Sequence, residues 1–292
     1  MSAFWDVPAP AKLNLFLHVT GRRADGYHLL QSVFMLIDWC DTLHFESIAS
    51  GRITREDLAA PPAADDLSAD DLPADDLTVR AARALQAATG CTRGARIGLL
   101  KRIPAQAGLG GGSSDAATAL LALNRLWRLH LTIGQLARIA LPLGADVPFF
   151  VRGHNAWVEG VGERIRSIDL PPARFLLAKP PQGVDTAAIF RAPALARDTN
   201  PATIADFVAD PYGFGRNDLQ PVAQALCPGV ARGLNWLARQ GLAGRMTGSG
   251  SAVFARVAEA ATPPPAPDRG WRVRFCGNLP MHPLYGWAAS DD

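Results

Sequence analysis

The chain has only four cysteines, Cys40, Cys91, Cys227 and Cys276, far apart and with no C-x-x-C pair. Its six histidines never recur at H-x-x-x-H spacing. These gaps exclude a disulfide framework and a Cys/His zinc site, and point to free thiols in a reducing cytoplasm. An excess of one charge is missing too: 29 Lys and Arg against 27 Asp and Glu leave a formal +2. A nucleic-acid binder needs a basic surplus, so a small-molecule partner is expected and no nucleic acid. Nowhere do 18 uninterrupted apolar residues occur, and the opening MSAFWDVPAPAK has neither a basic flank nor an apolar core. A soluble, unexported, cytoplasmic protein without a membrane partner is expected. Its 292 residues suffice for one large or two ordinary domains with real cores.

Two phosphate-binding patterns are also absent. No glycine is followed by lysine, which removes the P-loop, and Ser113 stands where the dinucleotide fingerprint needs its third glycine. What is present is PAQAGLGGGSSDAATALLAL at residues 104–123. Ala116, Leu120, Leu123 and Trp127 recur at spacings of four, three and four, which predicts one helix face, with Ser113, Ser114 and Asp115 as cap residues. A helix N-terminus carries unpaired N–H groups and the positive end of the dipole. Gly108, Gly110, Gly111 and Gly112 let more N–H groups turn inward, and that combination binds phosphate. A flexible turn before a packed helix is the alternative.

Strand-like and helix-like pieces alternate through the first half. In KLNLFLHV, Leu13, Leu15, Leu17 and Val19 alternate with Lys12, Asn14, Phe16 and His18, so one face is buried and the other carries Lys12 and Asn14. LQSVFMLIDW and RIGLLKRI read as further strands and LTVRAARALQAA as a helix. Between them AADDLSADDLPADDL repeats ADDL at a period of five. Its spacing matches no calcium loop and predicts an expanded surface loop. After about residue 165 the pattern restarts with RFLLAKP as a strand, a helical stretch across Asn217 to Gln240, AVFARV as a strand, a proline-rich break and a closing strand at WRVRF. A second α+β domain follows, giving domains at 1–165 and 166–292.

Five segments occur in one order: PAKLNLFLHVTGRRADGYHLL at 10–30, PAQAGLGGGSSDAA at 104–117, LGADVPFFVRG at 143–153, EGVGE at 159–163 and MTGSGSAVFA at 246–255. Together, across nearly the whole chain, they resemble the GHMP kinases. The long GLGGGSS form, the DGYH box and the GADVPFF box resemble the branch acting on a cytidyl-bearing alcohol more than the branches acting on homoserine, mevalonate or galactose. The resemblance implies an α+β fold: an ATP-binding N-terminal domain of the ribosomal-protein-S5 domain 2 type joined to a ferredoxin-like C-terminal domain, with the site in the cleft between. It implies ATP as phosphoryl donor with Mg²⁺ and a monomer or weak homodimer. The acceptor would be the 2-hydroxyl of 4-diphosphocytidyl-2-C-methyl-D-erythritol.

By the same resemblance Lys101, Pro104, Ala105, Gln106, Ala107, Gly108, Leu109, Gly110, Gly111, Gly112, Ser113 and Ser114 form the nucleotide side. Phosphoryl transfer needs charge neutralisation and a positioned hydroxyl. Lys12 suits the first and Asp146 suits a general base. Alone, Lys12 would read as a surface lysine and Asp146 as a turn or cap residue. Asn14, on the same strand face, positions the substrate or Lys12. Tyr27, His28 and Phe190 match the cytidine end, where an aromatic pair can sandwich the pyrimidine, and Thr186 matches a substrate-side position. Magnesium contact by Ser113 or Ser114 is possible, and no metal-ligating residue is assigned. The pattern is broken at Asp76, where relatives have Asn, at Ala187 in place of a proline, and in AEAATPPPAPD, which shortens the expected ferredoxin-like helix. The rival readings are a GHMP kinase for another small alcohol, against which the DGYH box and Phe190 argue, and a catalytically silent nucleotide-binding protein, against which the presence of both Lys12 and Asp146 argues.

Overall fold

The structure, a computed structural model, describes residues 2–58, 76–262 and 264–291. Most of the ADDL repeat lies outside the described residues. Its last residues are described: Asp76 caps the helix α1 (Leu77–Thr89), accepting from the Thr78 N–H at 2.7 Å, and Arg55 Nη1 is 3.3 Å from its carboxylate.

The long N-terminal strand β1 (Ala3–Arg22) pairs antiparallel with β2 (His28–Ile48), but not in even register. Asn14 lies opposite Phe34 and Leu17 opposite Ser32, so three steps along β1 match two along β2. Because side chains alternate with period two, one extra residue reverses inside and outside beyond it. Phe16, expected beside Lys12, is instead sealed in the core with Leu13 and Leu15. Leu17, expected on the opposite face, opens on the same cleft as Lys12 and Asn14.

Four further strands complete this sheet: β3 (Ile53–Asp57), β4 (Gly94–Leu100), β5 (Ala156–Gly160) and β6 (Arg164–Ser167), in the order β3-β4-β2-β5-β6 with β1 beside β2. Packed on it are α1, α2 (Gly111–Leu126), α3 (Ile133–Ala140) and α4 (Val147–Arg152). The expected face of α2 is buried, but so are its other sides from Ser114 to Asn124. The helix is enclosed on every side by the sheet, α1, α3 and α4, so its polar residues Asp115, Thr118 and Asn124 are buried along with its apolar ones.

The chain then enters a four-stranded antiparallel sheet of β7 (Arg174–Lys179), β8 (Arg245–Met246), β9 (Val253–Val257) and β10 (Arg272–Gly277), ordered β10-β7-β9-β8. It carries α5 (Thr186–Arg191), α6 (Ile204–Ala209), α7 (Gln220–Leu226) and α8 (Pro228–Arg239). The helical stretch expected across Asn217 to Gln240 is therefore two helices. Pro228 holds the residue before it out of helical backbone, and Cys227 sits at φ −134°, ψ 96°. The shortened helix expected after β9 is absent among the described residues, where Pro264, Pro265 and Pro267 remove the N–H groups it needs.

The two sheets face each other across a shared core. Leu13, Phe16, Met35 and Ile37 of the first meet Phe175, Leu177, Phe254 and Cys276 of the second. After β10 the chain returns to the first layer, where Asp291 accepts from the Gly134 N–H (2.9 Å) and Thr132 Oγ (2.6 Å) at the start of α3.

Candidate active site

At the seam between the two layers lies a cleft of about 800 Å³. The middle of β1 forms its floor. Lys12, 4 % exposed, has its ammonium 3.4 Å from Asp146 Oδ2 and donates to Asn14 Oδ1. The Phe34 ring centroid is 4.8 Å from the same nitrogen. Asn14 is held in turn: its Nδ2 donates to Ser32 Oγ at 2.9 Å, Ser32 donates to the Phe16 carbonyl, and the Asn14 backbone N–H donates to Thr247 Oγ1 at 2.9 Å. Since Ser32 spends its proton on Phe16, it receives the amide NH₂, which turns the Asn14 oxygen toward Lys12. Of the two roles expected for Asn14, these bonds favour holding Lys12. Asp146 opens α4 but makes no capping bond with its side chain, so the carboxylate is left to the cleft.

The glycine loop enters from the other side. The Gly110 carbonyl accepts the Ser114 N–H as the first bond of α2, so the N–H groups of Gly111, Gly112 and Ser113 have no partner within the helix. The cap is Gly110, not the serines: its φ of +72° is left-handed backbone, and no side chain bonds to the helix start. Ser113 and Ser114 stand in the first turn, and Asp115 is buried below it. Gly108 is also left-handed, at +73°, because the TGSGS segment presses against it. A β-carbon there would meet the Thr247 carbonyl at 2.1 Å. The Ser251 and Ala252 N–H groups donate to the carbonyls of Gln106 and Ala107.

Of the residues expected on the nucleotide side, Gly108 and Gly110 line the cleft, whereas Ala107 and Leu109 are buried. Lys101 does not reach the cleft. Its ammonium bonds Asp41 and, at 2.7 Å, Asp115. Burial opposes its charge, but the two carboxylates outweigh burial and hold its pKa above the ordinary lysine value. Asp41 also accepts from the N–H groups of Arg102 and Ile103, so this buried cluster ties the lead-in of the loop to the first turn of α2.

At the far end the cleft is lined by Tyr27, His28, Thr186 and Phe190. Tyr27 is 64 % exposed at the mouth, and Phe190 packs on His28 with ring centroids 5.0 Å apart. Thr186 Oγ1 shares a hydrogen bond of 2.6 Å with Ser249 Oγ. Ala187 uses the N–H that a proline would lack, donating to Asp185 at 2.9 Å. Burial, then Arg197, then Arg22 push the His28 pKa below the ordinary histidine value. Sequence reasoning passed over Ser32, Thr247, Ser249 and Arg197. The glycines of TGSGS signalled the two on that loop, while nothing local marks Ser32 or Arg197.

Two sequence profiles match the chain, "GHMP kinases N terminal domain" over residues 76–154 and "GHMP kinases C terminal" over 194–266. The 4-diphosphocytidyl-2-C-methyl-D-erythritol kinase of Albidiferax ferrireducens is 60 % identical over 291 residues, covering 100 % of this chain and 98 % of the relative. The enzyme of the same name from Acidovorax ebreus is 62 % identical over 291 residues, covering 98 % and 99 %. The chain belongs to the GHMP kinases. As an ATP-dependent small-molecule kinase, this GHMP kinase also resembles solved members. A crystal structure of 4-(cytidine 5'-diphospho)-2C-methyl-D-erythritol kinase superposes with a TM-score of 0.75 at 34 % identity, covering 95 % of this chain and 99 % of that one. Homoserine kinase from Cytophaga hutchinsonii shares the fold, with a TM-score of 0.68 at 14 % identity over 97 % and 96 %. Among the described residues no helix of this kinase is long and apolar enough to cross a membrane.

Proposed function

We propose that this kinase transfers the γ-phosphoryl group of ATP to the 2-hydroxyl of 4-diphosphocytidyl-2-C-methyl-D-erythritol, in the methylerythritol phosphate route to isoprenoid precursors. Asp146 acts as general base and Lys12 assists. The observation that carries the chemistry is the Lys12–Asp146 pair, 3.4 Å apart on the cleft wall beside the glycine loop. Asp146 takes the hydroxyl proton as the oxygen forms its bond to the γ-phosphorus and the bond to the β–γ bridging oxygen breaks, releasing ADP. Lys12, fixed by Asn14 and drained of water by its burial, offsets the charge on the travelling phosphoryl group. The free N–H groups of Gly111, Gly112 and Ser113 suit the nucleotide phosphates.

The names of relatives about 60 % identical along the full chain support the cytidyl acceptor. So does the aromatic end of the cleft at Tyr27, His28 and Phe190, which suits a nucleobase that homoserine and mevalonate lack.

Magnesium fits this site as a partner of the nucleotide more than of the protein. The described residues hold no cluster of three His, Cys, Asp or Glu side chains, whereas magnesium needs few protein oxygens when phosphates supply the rest. Ser113, partly exposed in the first turn of α2, is the hydroxyl that would meet it, whereas Ser114 is fully buried. When bound it supplies neutralisation of the β- and γ-oxygens.

Asp146→Asn keeps the size and removes the proton acceptor. Its kcat should fall about 10² to 10⁴-fold while ATP still binds. A variant keeping more than about a tenth of the wild-type kcat would contradict the base role, given that range.

A further inference from the structure

Arg197 lies outside every motif above, in the loop after α5, yet all its described bonds converge on the base end of the cleft. Its Nε donates to His28 Nε2 at 3.0 Å. Its Nη2 donates to the carbonyls of Phe190 (3.1 Å) and Ala192 (2.8 Å), and its Nη1 to that of Leu195 (2.9 Å). A guanidinium has only donors. His28 Nε2 must therefore be the ring's acceptor, which puts the proton of the neutral imidazole on Nδ1. No group among the described residues accepts from Nδ1.

We propose that Arg197 is a positioning residue for nucleobase recognition: it locks His28 as the Nδ1–H tautomer, so that the cleft offers the base a hydrogen-bond donor, and it anchors the backbone of Phe190, whose ring packs on His28. The base edge that meets His28 must then accept a hydrogen bond, as the O2 and N3 of cytosine do. Two further observations agree. Burial and the adjacent guanidinium groups of Arg197 and Arg22 disfavour the imidazolium, which would leave no acceptor for Arg197. Lysine would not replace Arg197, because a single ammonium cannot span the ring nitrogen and three carbonyls in one plane. This role rests on the cytidyl-acceptor reading, and its test separates the two.

The measurement is two-bond ¹H–¹⁵N spectroscopy of His28 in the whole protein, together with calorimetric binding of CDP as probe to wild type, Arg197→Met, His28→Phe and the double variant. The proton should sit on Nδ1 in wild type. Arg197→Met should weaken CDP binding about tenfold, the loss of about one hydrogen bond, with ATP affinity unchanged. In the His28→Phe background the same substitution should cost little more, since its effect passes through His28. A proton on Nε2 beside normal CDP binding, or losses that simply add in the double variant, would overturn this role alone. Failure of the wild type to bind CDP would overturn the nucleobase reading and this role with it.

Discussion

A buried ammonium is costly unless its partners are fixed in advance, and Lys12 shows how a few side chains achieve that. The Phe16 carbonyl, Ser32, Asn14 and Lys12 form a directed chain of hydrogen bonds that leaves the lysine facing Asp146. Each member lies on β1 or β2, so the geometry comes from a sheet rather than from a loop. A second buried titratable group, His282, is bound to the fold in a way that can be measured. It is 1 % exposed, its Nδ1 accepts from the Leu284 N–H at 3.0 Å, and its Nε2 has no partner among the described residues. Burial pushes its pKa down to about 3 from the ordinary 6.5. Below pH 6.5 the unfolded chain takes a proton that the folded one refuses. Stability is therefore full above that pH and falls as pH drops toward 3, by up to roughly 1.4 kcal/mol per unit. His282→Asn keeps an acceptor for Leu284 and removes the titration. Urea unfolding at several pH values from 7.5 to 5 should show a shallower acid slope in the variant than in wild type.

At the scale of elements, the glycine loop and the TGSGS segment work as one interlocked piece. Gly108 is the contact point, and Gly108→Ala should cost about 1 to 2 kcal/mol for the left-handed backbone alone, with the clash on Thr247 added. A lower Tm and a raised KM for ATP are expected together, read by thermal unfolding and an ATP titration. Gly111 is a different case. Its backbone is helical and it faces Ile103 and Lys101, so the left-handed freedom expected of the glycine run is used at Gly108 and Gly110.

Most of the elements were legible in the sequence because their signals are local: period two in β1, period 3.6 in α2, the prolines before β10. What was not legible depends on a partner. The extra residue in β1 shows only against β2, and it moved Phe16 and Leu17 to faces opposite to those the alternation predicts. The ion pairs that Lys101 makes with Asp41 and Asp115 join positions 60 and 14 residues apart, and no local pattern marks them. Arg197 bears no pattern at all, and its role exists only through His28, 169 positions away.

For the whole molecule, the arrangement of two sheets around a shared core decides where chemistry can occur. Phe16, Phe207 and Trp157 pack in the seam, so the two layers share an apolar core, and the cleft lies at their junction. One end of that cleft holds Lys12 and Asp146 beside the glycine loop. The other holds His28, Phe190 and Tyr27, which the pattern DGYH had marked. A kinase for a small unadorned alcohol has no use for the second end. The most direct test is release of ADP from ATP and Mg²⁺ by the purified protein, measured side by side with 4-diphosphocytidyl-2-C-methyl-D-erythritol, homoserine, mevalonate and galactose, with ³¹P spectra of the products. Turnover with the cytidyl substrate alone, and a new phosphomonoester on its 2-hydroxyl, is the result this account predicts. Turnover of one of the other alcohols with none of the cytidyl substrate, or ATP binding without phosphate transfer to any of them, would contradict it.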